Sequence, residues 1–294
     1  MIISIASGKG GTGKTTLAAN LAVALRNIEP EVTLLDCDVE EPNDHLFLSP
    51  TFTRTNEIWA EVPDIDTKLC AYCGKCQEIC QFNAIAILPE LALTFPELCH
   101  SCGGCFMVCP ENAVRSGKRL LGVVEEGSRG PLQFVQGRLR VGEAMAPPLI
   151  RKVREAAGGD GLTLVDAPPG TSCPVMAALR GSDFVLLVTE PTPFGLNDLE
   201  LAVGAVRILG IPMGIAINRS DLGDDRIRKF AGKEKIPLLM EIPFDRRVAE
   251  AYAKGELLVE VLPEWREKML TLYDAICRVQ GGCGNGHNGR EGSQ

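Results

Sequence analysis

The chain has 294 residues, 45% of them hydrophobic, which is enough apolar side chain for a sizeable core in one large domain or two. Its formal net charge is −8 with lysine and arginine spread thinly, which excludes a broad nucleic-acid footprint. No apolar stretch is long enough to span a bilayer, and Met1–Ala6 has neither the basic flank nor the cleavage site of a signal peptide. The expected location is therefore cytoplasmic, with no stable membrane insertion.

Ile2 to Ala6 is a short apolar run that reads as a buried strand. It leads into Gly8-Lys9-Gly10-Gly11-Thr12-Gly13-Lys14-Thr15, a phosphate-binding loop. Thr15 to Arg26 has helical periodicity through Leu17, Leu21, Ala24 and Leu25, and Val32 to Leu35 is a second strand ending at Asp36-Cys37-Asp38. After a cysteine-rich stretch, Leu120 to Pro148 is the least regular part, where alternation around Phe134 to Val141 predicts a hairpin back to the sheet. Strands follow at Leu162 to Val165, ending at Asp166, and at Phe184 to Val188. A helix is expected near Leu196 to Leu209, then strands at Met213 to Ile217 and Leu238 to Ile242. The last helix, Glu264 to Val279, has an apolar stripe of Trp265, Met269, Leu272, Ile276 and Val279, expected to pack on the protein's own sheet. From Gly281 a glycine-rich tail reads as disordered. Strands alternating with helices predict an α/β fold, a mostly parallel sheet covered by helices on both faces.

Eight of the twelve cysteines form two runs: Cys70, Cys73, Cys76 and Cys80, then Cys99, Cys102, Cys105 and Cys109 followed by Pro110. Each has the C-x2-C-x2-C-x3-C spacing of cubane iron–sulfur ligands. Cys70 through Ile85 aligns with Cys99 through Val114 at an offset of 29 residues, an internal duplication. The runs resemble bacterial two-cluster ferredoxins, in which the fourth cysteine of each run serves the other cluster. That resemblance implies two 4Fe–4S clusters, one on Cys70, Cys73, Cys76 and Cys109, the other on Cys99, Cys102, Cys105 and Cys80. Gln81 stands where the ferredoxin pattern has its first proline, which puts packing around the second cluster in question rather than its ligation.

In the glycine loop, Gly8, Gly10, Gly11 and Gly13 give the backbone freedom for N–H groups, Thr12 among them, to converge on phosphate oxygens at a helix N-terminus. Lys14 is expected to reach the β- and γ-phosphates, Thr15 to ligate Mg2+, and Thr16 to contact the α-phosphate. Lys9 makes the loop similar to the deviant Walker A of the MinD/ParA/Mrp and nitrogenase-iron-protein superfamily. The resemblance covers about 1–48 and 161–262, and with the cysteine-rich insert the chain resembles MinD-superfamily ATPases that carry a ferredoxin domain. It implies that Lys9 reaches across a nucleotide-sandwich dimer, a homodimer or a heterodimer with a related ATPase. It also implies that Asp38 positions the attacking water, that Asp36 lies near the metal, and that Asp166 of Asp166-Ala167-Pro168-Pro169-Gly170 holds Mg2+ through water. Gly170 would sense the γ-phosphate, and Asn218 with the Ile242-Pro243-Phe244-Asp245 turn would flank adenine. Asn218-Arg219-Ser220-Asp221 also looks like a guanine reader, but Arg219 stands at its lysine position, and ATP/ADP is the expected nucleotide.

The domains expected are an ATPase at 1–60 and 116–280, a two-cluster insert at 61–115 and a flexible tail at 281–294. Cys37 reads as a buried filler, Cys173, by resemblance to the nitrogenase iron protein, as a candidate for a cluster shared between subunits, and His100 as a polar neighbour of the second cluster. Cys277, Cys283 and His287 could form a metal site in the tail. The expected activity is Mg2+-dependent ATP hydrolysis coupled to electron transfer with an unidentified redox partner protein. The alternatives are a positioning ATPase with a redox-sensing module and a carrier of nascent clusters.

Overall fold

The computed structural model describes residues 1–157 and 161–281. β1 (Ile2–Ala6) passes through the glycine loop into α1 (Lys14–Leu25), β2 (Val32–Asp36) and a short α2 (Asp44–Leu48). A long β3 (Thr51–Ile65) leads to the cysteine-bearing lobe. This lobe holds α3 (Lys75–Ile79), β4 (Ile85–Leu88), β5 (Leu91–Thr94), a 3-10 turn at Pro96–Leu98 and α4 (Gly104–Val108). The chain returns along β6 (Val114–Arg129) and turns into β7 (Leu132–Leu139) and α5 (Ala146–Arg154). Alternation resumes with β8 (Leu162–Asp166), α6 (Cys173–Leu179), β9 (Phe184–Thr189), α7 (Pro193–Leu209) and β10 (Met213–Asn218). It ends with α8 (Arg226–Glu234), β11 (Leu238–Ile242), α9 (Arg246–Ala253), α10 (Leu258–Val261) and α11 (Pro263–Val279).

The main sheet runs β11-β10-β9-β1-β8-β2-β7-β6-β3, parallel from β11 to β7 and antiparallel across β7-β6 and β6-β3. Its central strands are nearly continuous apolar runs because both faces are covered. On one face Leu17, Leu21 and Leu25 of α1 pack with Trp265, Met269, Leu272 and Ile276 of α11. The α11 stripe is thus spent on the protein's own core, Val279 alone being largely exposed. On the other face Leu149 and Val153 of α5 join Val175, Leu199, Val203 and Val206. Among the described residues no helix is long and apolar enough to cross a membrane.

The predicted hairpin is the β6–β7 pair, but β6 is far longer than the sequence pattern indicated. It zips to β3 from Thr51↔Ser128 to Ile65↔Val114, a ribbon that joins the sheet to the cysteine lobe. Both strands run unbroken through the expected domain boundaries at 60/61 and 115/116. The ribbon's outer residues alternate weakly and carry many charges, so no apolar periodicity marks them.

Candidate functional site

The register of the sheet builds the nucleotide end of the site. Asp36 and Asp166 are direct partners on adjacent parallel strands, so two carboxylates stand side by side at the strands' C-terminal ends. Lys14 opens α1 and donates from Nζ to Asp166 Oδ1 at 2.8 Å, while the Thr15 hydroxyl donates to Asp166 Oδ2 at 2.6 Å. Gly13 caps the helix at φ 94°, a conformation that suits glycine. Gly8 is set by contact: a Cβ there would lie 2.2 Å from the Asp198 carbonyl oxygen on α7. Gly10, Gly11 and Thr12 complete the loop, and the Asn218 amide donates to the Thr12 carbonyl at 2.8 Å. Thr16 follows in α1, its carbonyl accepting from Asn20. Gly170 comes back onto the loop, its N–H donating to Ser7 O at 2.9 Å.

The carboxylates outnumber the cations here. Asp36 accepts N–H bonds from Asp38, Asn43 and Asp44, yet burial and then the Asp166 charge push its carboxyl up to about 8. Asp38, partly exposed, is raised to about 6, chiefly by burial. Lys14 loses charge stability by burial, but its ion pair with Asp166 outweighs this and raises it. Asp44 was not anticipated. It is fully buried, both its carboxylate oxygens lack a hydrogen-bond partner, and burial raises its carboxyl well above the ordinary range. Oxygens of Asp36, Asp44 and Asp166 lie within 4.8 Å of one another, a set able to hold a divalent cation. Only its position at the head of α2, soon after the Asp36 strand end, could have flagged Asp44.

Glu190 was also missed. It follows β9 as Asp36 and Asp166 end their strands, and it is mostly buried between two cations. Lys9 Nζ lies 3.4 Å from its Oε2 and Arg219 Nη1 lies 2.9 Å from its Oε1. Lys9 is thus paired within its own chain. Nearby, Ser220 N donates to Ile242 O and Phe244 N to Asp221 Oδ1, which fastens the Asn218 segment to the turn carrying Pro243.

In the lobe the two cysteine runs adopt matching backbones. Tyr72 and Ser101 (φ 52° and 53°), Gly74 and Gly103 (78° and 77°), and Asn83 and Asn112 (53° and 49°) are equivalent left-handed positions. Tyr72 N donates to Cys70 Sγ and Ala84 N to Cys80 Sγ, just as Ser101 N does to Cys99 and Ala113 N to Cys109. The fourth cysteines cross over. Cys70, Cys73, Cys76 and Cys109 line one hollow, and Cys80, Cys99, Cys102 and Cys105 line the other. Four soft thiols around each hollow, with N–H groups aimed at sulfur, are the donor set a cubane cluster needs. His100 stacks on Phe82, ring centroids 3.7 Å apart, at the second hollow. Cys37 is fully buried and burial pushes its thiol up, whereas Cys173 is exposed at the start of α6. Cys277 is buried in the α11 core, while Cys283 and His287 lie outside the described residues.

Residues 3–259 match the CobQ/CobB/MinD/ParA nucleotide binding domain. The chain belongs to this family. An uncharacterized protein of Methanocaldococcus jannaschii is 33% identical over 267 residues, covering 87% of this chain and 90% of that protein. An iron-sulfur cluster carrier protein of Aquifex aeolicus is 27% identical over 278 residues, 90% of this chain but only 63% of the carrier. Among solved structures, the septum site-determining protein MinD of Pyrococcus horikoshii OT3, complexed with Mg-ADP, shares the fold. It has a TM-score of 0.59 at 22% identity and covers 95% of this chain and 97% of that one. The chain is a MinD/ParA-type P-loop ATPase with a mostly parallel, helix-covered sheet.

Proposed function

We propose that this ATPase couples the nucleotide state of a sandwich dimer, formed with itself or a related ATPase, to electron transfer with a partner protein through two 4Fe–4S clusters. In this reading residues 61–115 are a ferredoxin-type insert, and the crossed cysteine foursomes are its ligand sets. The clusters would supply one-electron storage when bound. Lys14, Thr15 and Asp166 would handle the phosphates and Mg2+, with Gly170 beside the γ-phosphate and Asn218 and Pro243 beside adenine. Lys9 would leave Glu190 for the partner's nucleotide, and Asp38 would orient water for attack.

One observation carries the coupling. The strand beside the lobe's ribbon is bonded into the segment after Asp38: β7 lies between β2 and β6, and Leu139 N donates to Val39 O at 2.8 Å. A change at the Asp38 segment therefore acts on β7, which is paired along Leu132–Leu139 with β6, the strand that comes out of the lobe. The effect must be reciprocal, because each ligand shifts an equilibrium only by its differential affinity for the two states. The test is anaerobic reduction of an acceptor by the reduced protein in ATP and in ADP, with Lys14→Ala as control. Equal rates in all three samples would sink the gating reading.

A cluster-carrier role is the second reading, favoured by the Aquifex relative and by the exposure of Cys73 and Cys102, one in each foursome. It requires that radiolabelled iron pass from this chain to an apo-acceptor, which a closed electron relay would not allow.

A further inference from the structure

We propose that Arg119 is a positioning residue that transmits nucleotide state to the second cysteine hollow through a buried ion pair with Glu143. This rests on the gating reading above and names its route. Arg119 sits on β6 opposite Ala60 of β3, at the stem of the lobe, and is only 5% exposed. Its two terminal nitrogens donate to carbonyls of the second run: Nη1 to Pro96 O, and Nη2 to Cys99 O at 3.2 Å. Its Nε faces Glu143 Oε2 at 3.1 Å, and the Glu143 side chain is 1% exposed.

Glu143 lies in the segment between β7 and α5. Its Oε1 accepts from Met145 N at 2.9 Å, and Met145 caps α5. A carboxylate there is favoured by the helix's positive end. From that cap, Ala146 and Ile150 of α5 line a cleft together with Asp38, Val39 and Glu40 of one nucleotide-facing segment and Pro168 and Pro169 of the other. A continuous physical path thus runs from the Cys99 backbone through Arg119, Glu143 and the head of α5 to both segments that flank the phosphate site.

Two features fit a switch better than a fixed strut. A buried ion pair adds little stability over well-packed apolar residues, and its best-attested use is to set register or to switch. Moreover, Arg119 Nε and Glu143 Oε2 are close in distance yet neither makes a hydrogen bond, although both are shut off from water. A small displacement of α5 would align them, so the pair has a second arrangement within reach. The planar guanidinium would carry that displacement to both carbonyls, because its three nitrogens move as one body.

The experiment is hydrogen–deuterium exchange on the cluster-loaded protein, in ADP and in a non-hydrolysable ATP analogue, read at the amides of residues 97–102. The wild type is expected to show different protection in the two nucleotides. Glu143→Gln is expected to lose that difference while retaining ATP turnover and full iron content. Arg119→Lys, which keeps the charge but not the planar fork, serves as the second variant should Glu143→Gln fail to load. A merely structural role would shift protection equally in both nucleotides and leave their difference intact. A difference that survives in the variants overturns the route alone. A wild type with no difference overturns the route and the gating reading together.

Discussion

Asp166 uses one oxygen on Lys14 and the other on Thr15, so the phosphate loop is held by the residue expected to serve the metal. Asp166→Asn leaves the Lys14 ammonium buried beside a neutral partner, and breaking such a pair costs about 3–5 kcal/mol. An anaerobic urea titration of the nucleotide-free protein should show the loss. Asp44 makes the opposite case. Asp44→Leu should raise the stability of the metal-free protein, because a buried acid without partners gives way to an apolar side chain. The same variant should weaken Mn2+ binding in the ADP complex, read by electron paramagnetic resonance. Unchanged Mn2+ affinity would remove Asp44 from the cation site. Protons supply a third check. Asp36 is raised from an ordinary value of 3.8 to about 8, so its contribution to stability is full below about pH 4 and is lost as pH rises through 8. A divalent cation favours the carboxylate, so Mg-ADP binding at pH 7 should expel a proton, and the release should fade well above pH 8. Calorimetry in two buffers of different ionisation enthalpy measures it. At this scale the motif residues were legible because spacing alone identifies a phosphate loop and cubane runs. Asp44 and Glu190 were not, since their significance comes from strands and a helix that converge only in the fold.

Among the elements, α7 and the glycine loop approach most closely at Gly8. Gly8→Ala would drive a Cβ to 2.2 Å from the Asp198 carbonyl on a helix anchored by Thr192, whose hydroxyl accepts from Gly195 N. Overpacking of this kind costs about 1–3 kcal/mol and must displace loop or helix. Nucleotide affinity should fall with it, and retained wild-type affinity would show that the loop tolerates the shift. The parallel strands were readable because burial on both faces leaves near-continuous apolar runs in Ile2–Ala6, Leu162–Val165 and Phe184–Val188. The β3–β6 ribbon was hidden for the converse reason. Much of it is exposed, and residues such as Arg54, Glu57, Lys118 and Glu125 mask any alternation. The segment with the least legible pattern is therefore the one that joins the two functional parts.

For the molecule as a whole, the crossing of the fourth cysteines gives a stoichiometric test. Cys80 shares its hollow with Cys102, so Cys80→Ser with Cys102→Ser should forfeit one cluster and retain about four irons. Cys80→Ser with Cys73→Ser touches both hollows and should lose both clusters. The reverse pattern would mean that each run ligates its own cluster. The duplication at an offset of 29 residues was visible in the sequence, but the attachment of the lobe to the Asp38 segment and to α5 was not, because long-range pairing leaves no local signature. That attachment is the basis of the central claim, that nucleotide and electron states are linked. The most direct measurement is the midpoint potential of each cluster, titrated anaerobically in saturating ADP and in a non-hydrolysable ATP analogue. Coupling free energies of ordinary size, about 5–150-fold, correspond to a shift of roughly 40–130 mV for a one-electron couple. The account predicts such a shift in at least one cluster, abolished in Lys14→Ala. Potentials that coincide in the two nucleotides would contradict it.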